Sequence, residues 1–216
     1  MPAVTRTFRA QIDEVIVDRA AALFARRGFE QTSVQAVADA VGLSKAGLLH
    51  HFPSKDRLRE AVLAQAESLG QRVLEHVQDL PLGVARDRRA VEVIVDVALA
   101  HPGLVALMLV PATQEDAEAD RSGDATTTAV LQAFGVAHEQ AAHEKAAHEK
   151  AAHETADQER LVRVIGALSA LAVLTLAAHH RDTTTLWRPL VVATCLDALG
   201  HRRAAASLAH PDQVEA

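Results

Sequence analysis

The chain has 216 residues, 49% hydrophobic but only 3% aromatic, with no tyrosine and a formal charge of −6. That is enough apolar material for one large or two small domains, and a core of Ala, Val and Leu favours helices over sheets. A single cysteine, Cys195, excludes an intrachain disulfide, suits a reducing cytoplasm, and sits in LVVATCLDAL as a small buried apolar residue.

The start is polar, with Arg6 and Arg9 and no apolar run behind them, so no signal peptide is expected. A first helix is expected over 9–27, with Ile12, Val15, Ile16, Leu23 and Phe24 as its core stripe. Gly28 stops it, and Phe29 can fold back onto Phe24. Thr32 is placed to cap a second helix, with Gln35 completing a capping box, and Val34, Val37, Ala38 and Val41 recur at helical spacing. Gly42 falls where a residue of positive φ is needed, and Ser44 caps a third helix stapled by Leu43 and Leu48. Pro53 ends that helix, and Ser54 caps a long one over 55–79 with Leu58, Val62, Leu69 and Val73 inward. Two short helices joined by a glycine turn predict a helix-turn-helix, whose second helix enters the DNA major groove.

The stretch ALFARRGFEQTSVQAVADAVGLSKAGLLHHFPSKDRLREAV resembles the N-terminal domain of the TetR family of transcriptional repressors. Phe24, Gly28 and Phe29 match a Phe-x-x-x-Gly-Phe/Tyr pattern, and residues 37–44 and 49–55 match the two segments that follow it; the likeness covers roughly 10–62. It departs at Leu49, where the family usually has a phosphate-touching Tyr, and at Gly47, where it often has Thr. A mid-helix Gly points to close backbone approach to DNA or to tolerance in a short helix. Residues 1–65 carry nine Lys/Arg against seven Asp/Glu and the remainder thirteen against twenty-one, which suits a DNA-facing end and an acidic regulatory end.

Lys45, Ala46, Gly47, Leu49 and His50 occupy third-helix positions that the core does not need, with Lys45 the best candidate for a base or phosphate contact. Lys55 matches the family's phosphate-contacting lysine, and Thr32, Ser33 and Ser44 stand at helix N-termini where hydroxyls can donate to phosphate. His51 either contacts phosphate or packs beside Phe52, and Leu49 offers at most a van der Waals contact.

Beyond the long fourth helix, helices are expected over 88–100 and 102–109, an acidic loop over 111–123, and a final pair over 161–180 and 186–203. Residues 137–156 are four near-perfect copies of Ala-His-Glu-x-Ala. A five-residue period spreads the histidines around a helix, giving a solvated insertion with a break near Asp157. Glu139–His143, Glu144–His148 and Glu149–His153 offer only two ligands per face, short of a specific zinc site, so no metal site is assigned. The apolar run 164–178 would span about 22 Å, too short for a bilayer's ~30 Å, and no membrane is expected.

The expectation is an all-α protein: an N-terminal three-helix helix-turn-helix domain over 1–62 and a larger helical ligand-binding and dimerisation domain over 63–216. The family likeness implies a cytoplasmic homodimeric repressor, released from a palindromic double-stranded operator by a small effector, with the last two helices forming a four-helix bundle across the dimer; the alternative for those helices is a monomeric core. Leu104, Met108, Phe134, Leu168, Leu171 and Trp187 are the candidate pocket residues, and few buried polar groups favour an apolar or amphipathic ligand. No cofactor and no catalytic constellation is read from the sequence. The competing function is a His-rich, metal-responsive or metal-buffering helical protein.

Overall fold

The computed structural model describes residues 2–113, 124–136 and 147–201, with side chains placed over 9–109, 125–136 and 156–201. Among these the chain is all helix: α1 (Pro2–Arg27), α2 (Val34–Ala40), α3 (Lys45–His51), α4 (Lys55–Glu75), α5 (Val84–Ala100), α6 (Pro102–Thr113), α7 (Asp124–Ala133), α8 (Ala147–His180) and α9 (Thr184–Ala198).

Two hydrophobic clusters organise them. The first joins Ile16, Val17, Ala20, Leu23 and Phe24 of α1 to Val37, Leu48, Leu58 and Val62, and it takes in Leu104 of α6. The second joins Val73, Val91, Val95, Phe134, Val164, Leu171, Val191 and Cys195. The α4 helix contributes to both, which ties the N-terminal helices to the C-terminal ones. Phe29 meets Phe24 edge-on at 5.3 Å, as expected. Val15 does not join the α1 stripe: it is 56% exposed, and Val17, Ala20 and Ala21 are buried instead. Alanines at the crossing let helices approach closely, so the stripe follows small residues that a hydrophobicity pattern underrates.

The α1–α6 crossing is closer still. A Cβ at Gly103 would overlap the Asp18 carbonyl, so only glycine fits there. From α1, Asp18 Oδ1 accepts from the Gly103 and Leu104 N–H groups at 2.8 and 3.2 Å, capping a helix 85 residues away. Burial pushes its pKa up, against the opposing pull of those two N–H donors and of His101 and Arg19.

Several boundaries differ from the sequence reading. The α6 helix continues to Thr113, inside the expected loop, and residues 114–123 lie outside the described set. The α7 helix was not expected; three consecutive threonines hide it from a propensity argument. The α8 helix starts at Ala147, the first residue of the third repeat copy, and runs without a break past Asp157. Alanine, glutamate and lysine favour helix, so the last two copies extend the core helix; the first two lie outside the described residues.

With that extension, Ala156–His180 becomes long and apolar enough to cross a bilayer by length and composition. One face of it is packed in the protein: Val164, Ala167, Leu171, Thr175 and Ala178 are buried at helical spacing. The opposite face exposes Val162 and Val173, and α9 exposes Leu186 and Leu190. Cys195 is fully buried, and burial raises its thiol to about 11, as suits an inert core residue.

Candidate DNA interface and cavity

Helices of seven residues are too short to persist alone, so α2 and α3 depend on their ends. Ser33 Oγ accepts from the Ala36 N–H at 3.1 Å and Ser44 Oγ from the Gly47 N–H at 3.0 Å. Between them Gly42 sits at φ +70°, and the Leu43 N–H donates to the Ala38 carbonyl at 2.9 Å while the Gly42 N–H reaches Asp39, closing a Schellman turn. Val37 and Leu48 then fix both helices to the core.

The cap of α2 is Ser33 and not Thr32. Thr32 is 1% exposed, and its hydroxyl donates to the Gly28 carbonyl at 2.8 Å. It closes the end of α1, an inward role that leaves neither a cap nor a phosphate contact to it. No capping box forms, because Gln35 donates to the Asp39 carboxylate at 2.6 Å. Gly47 gains a local reason: a Cβ there would lie 3.3 Å from the Ser44 hydroxyl that caps the helix.

On the outward side of α3 the structure places Lys45, Ala46 and His50 in the open, with Gly47 and Leu49 half-buried. His51 turns away from that face to pair with Asp13 of α1 at 2.5 Å, and Arg9 donates to the His50 carbonyl at 3.2 Å. Both contacts brace α3 against α1. Lys55 is also a brace: its ammonium donates to the Phe29 carbonyl at 3.1 Å and the Glu30 carbonyl at 3.4 Å, and lies 4.2 Å over the Phe29 ring. It organises the end of α1, which no spacing in the sequence encodes.

A cavity of about 390 Å³ opens between α4, α5, α6, α7 and α8. Four of the expected pocket residues line it: Leu104, Met108, Leu168 and Leu171. Phe134 and Trp187 do not. Phe134 is packed in the second cluster, with its carbonyl held by Arg160 at 2.9 Å, and Trp187 lies under the Arg181 guanidinium. The sequence reading missed His101, Thr126, Thr127 and Ser169, the polar lining, because nothing in their local pattern separates a cavity wall from a surface. Among the described residues no group of three or more His, Cys, Asp and Glu side chains could hold a metal, and the histidine side chains of the repeat lie outside them.

Residues 16–62 match the family model described as bacterial regulatory proteins, tetR family. The chain is 27% identical over 106 residues to the nucleoid occlusion factor SlmA of Pasteurella multocida, covering 49% of this chain and 53% of that protein. It is 44% identical over 48 residues to the HTH-type transcriptional repressor KstR2 of Rhodococcus jostii, covering 22% and 24%. The alignments thus span about half of the first relative and a quarter of the second. The solved structure of the TetR family transcriptional regulator PfmR from Thermus thermophilus aligns over 87% of this chain and 95% of that one, at 22% identity and a TM-score of 0.38.

Proposed function

We propose that this chain, which belongs through its N-terminal domain to the tetR family of bacterial regulatory proteins, is a homodimeric repressor acting in the cytoplasm and released from a palindromic operator by a small effector. DNA binding and transcriptional regulation come with the domain; the repressing sign, the dimer and the effector are this proposal. The observation that carries it is the doubly capped helix-turn-helix, which turns Lys45, Ala46 and His50 outward on α3. The exposed apolar faces of α8 and α9 support the dimer, since an isolated protomer would leave Val162, Val173, Leu186 and Leu190 in water.

Linkage supplies the mechanism. The cavity wall includes His101 and Leu104, at the end of α6 that Asp18 holds against α1. His101 Nε2 also lies 3.5 Å from the Glu14 carboxylate of α1. A ligand that moves this end of α6 must move α1, and with it the α3 helix braced by Asp13 and Arg9. Effector and operator then weaken each other by the same factor.

The test is selection of bound sequences from a random DNA pool. Two inverted half-sites about 34 Å apart, or a multiple of that, are expected, with Lys45→Ala changing the base preferred at one position of each. Absence of any enriched sequence overturns the reading.

A further inference from the structure

The chemistry of the cavity wall restricts what can occupy it. Its described lining is Ala, Val, Leu, Ile, Met and Gly with His101, Thr126, Thr127 and Ser169; it holds no Lys, Arg, Asp or Glu and no Phe or Trp. An ionised ligand would lose its water there with no Lys, Arg, Asp or Glu among the described lining to pair it. A flat aromatic cation would find no Phe or Trp ring among the described lining to stack on. Of the polar residues, Thr127 and Ser169 are exposed, and His101 is engaged with Glu14. Thr126 differs: it is 4% exposed, its methyl and backbone lie against Gly70 of α4, and its Oγ1 is the one buried side-chain N or O atom among the described residues without a hydrogen-bond partner. A buried hydroxyl left unpaired is costly, and a ligand group that pairs it removes that cost.

We propose that the cavity takes an uncharged aliphatic molecule with a single hydroxyl or carbonyl group that pairs with the Thr126 hydroxyl. This rests on the reading of the cavity as the effector site. A threonine hydroxyl both donates and accepts, so an alcohol and a ketone suit it equally. At about 30 Å³ per water-sized group, 390 Å³ holds on the order of a dozen non-hydrogen atoms, a chain of about ten carbons with its polar end.

The experiment titrates 1-decanol, decanoate and decylammonium, which share one chain length, into the full protein by calorimetry at pH 7.5. Decanol is expected to bind one per protomer, at least tenfold tighter than either ion. Thr126→Val should weaken decanol about fivefold or more while raising the melting temperature of the unliganded protein, because it removes the unpaired hydroxyl. Binding of either ion as tight as decanol, or no binding of decanol, overturns the proposal; an unchanged decanol affinity in Thr126→Val overturns the anchor. The effector-site reading has its own check in Leu168→Trp, which fills the cavity without ligand, with Ala172→Leu as the smaller filling. Operator affinity unmoved in both filled variants sinks that reading, whereas tight ion binding sinks only the ligand chemistry argued here.

Discussion

The α2–α3 pair and the α8–α9 pair are both consecutive helices joined by a tight turn, yet opposite physics holds them. The first two are seven residues each, and each begins on a serine hydroxyl that satisfies a backbone donor of its first turn. In α8 and α9, 34 and 15 residues long, the position before α9, Thr183, makes no side-chain cap. Apolar area fixes this second pair, through Val164, Leu171, Val191 and Cys195. Short elements secured by polar caps can turn a polar face outward to a charged partner. Long elements secured by burial, with Val173 and Leu190 still 58% and 61% exposed, call for an apolar partner on their outer face.

The strongest way to break this contrast is to charge that outer face. Val173→Glu combined with Leu190→Glu is expected to leave the protomer folded, because both side chains already reach solvent. Sedimentation should show monomers, and operator affinity should fall about 100-fold or more, since two linked half-site contacts become one. A dimer that survives both changes moves the interface off α8 and α9. Ala172 of α8 is unsuitable for this test because it lines the cavity.

The C-terminal helices also have a buried polar tie, and cutting it should cost more than a cap. Asp87 is buried at the start of α5, held by Arg160 at 2.6 Å and His201 at 2.6 Å, while Arg160 also donates to the Phe134 carbonyl. Asp87→Asn leaves a partly buried guanidinium without its counter-charge. A loss of about 2–3 kcal/mol in urea unfolding is expected, below the full range for a buried pair because Arg160 retains some solvent. A loss under about 0.5 kcal/mol would show that the cluster contributes only packing.

Ser33→Ala and Ser44→Ala sharpen the contrast at smaller scale. Each should cost about 1 kcal/mol in thermal or denaturant unfolding, and Thr183→Ala only a few tenths, because its hydroxyl makes no bond to α9 and only a long one, 3.4 Å, to the Ala178 carbonyl. Equal effects at all three positions would erase the distinction between capped and buried helix pairs.

The same contrast explains how much the sequence made legible. Caps and turns are local, so Gly42, Ser44, Ser54 and the Leu43–Leu48 staple could be read from spacing alone, and with them the helix-turn-helix. Where two neighbours fit one local role the sequence does not separate them: Thr32 and Ser33 both suit the cap, and Ser33 forms it. Lys55 was placed at the interface, but its bonds to the Phe29 and Glu30 carbonyls depend on how α1 ends, which no spacing encodes. The final hairpin is legible from its long apolar run over 164–178 and the polar break that follows it. The α7 helix was not, and the cavity emerged only in part: its wall is drawn from five helices, and its polar members have no local signature. Contacts between residues far apart in the chain decide these features.

The smallest expected effect tests one such contact. Asp18 spans the two ends of the molecule, its carboxylate accepting from Gly103 and Leu104 at the start of α6, yet burial raises its pKa despite those donors. A carboxylate whose pKa is higher folded than unfolded binds its proton more tightly in the folded state. Its ionisation therefore subtracts stability as pH climbs from the ordinary carboxylate value through the raised one, and the loss is constant above that. Asn keeps an oxygen that can accept both N–H bonds and cannot ionise. Asp18→Asn should thus match the parent at low pH, gain on it through that window, and stay within about 1 kcal/mol of it at neutral pH, where solvent screens a half-buried group. Urea unfolding of both proteins across the acidic range is the measurement. A variant that instead falls behind as pH rises would show that the charged cap on α6 outweighs the cost of burying it, making Asp18 a net source of stability between the two ends.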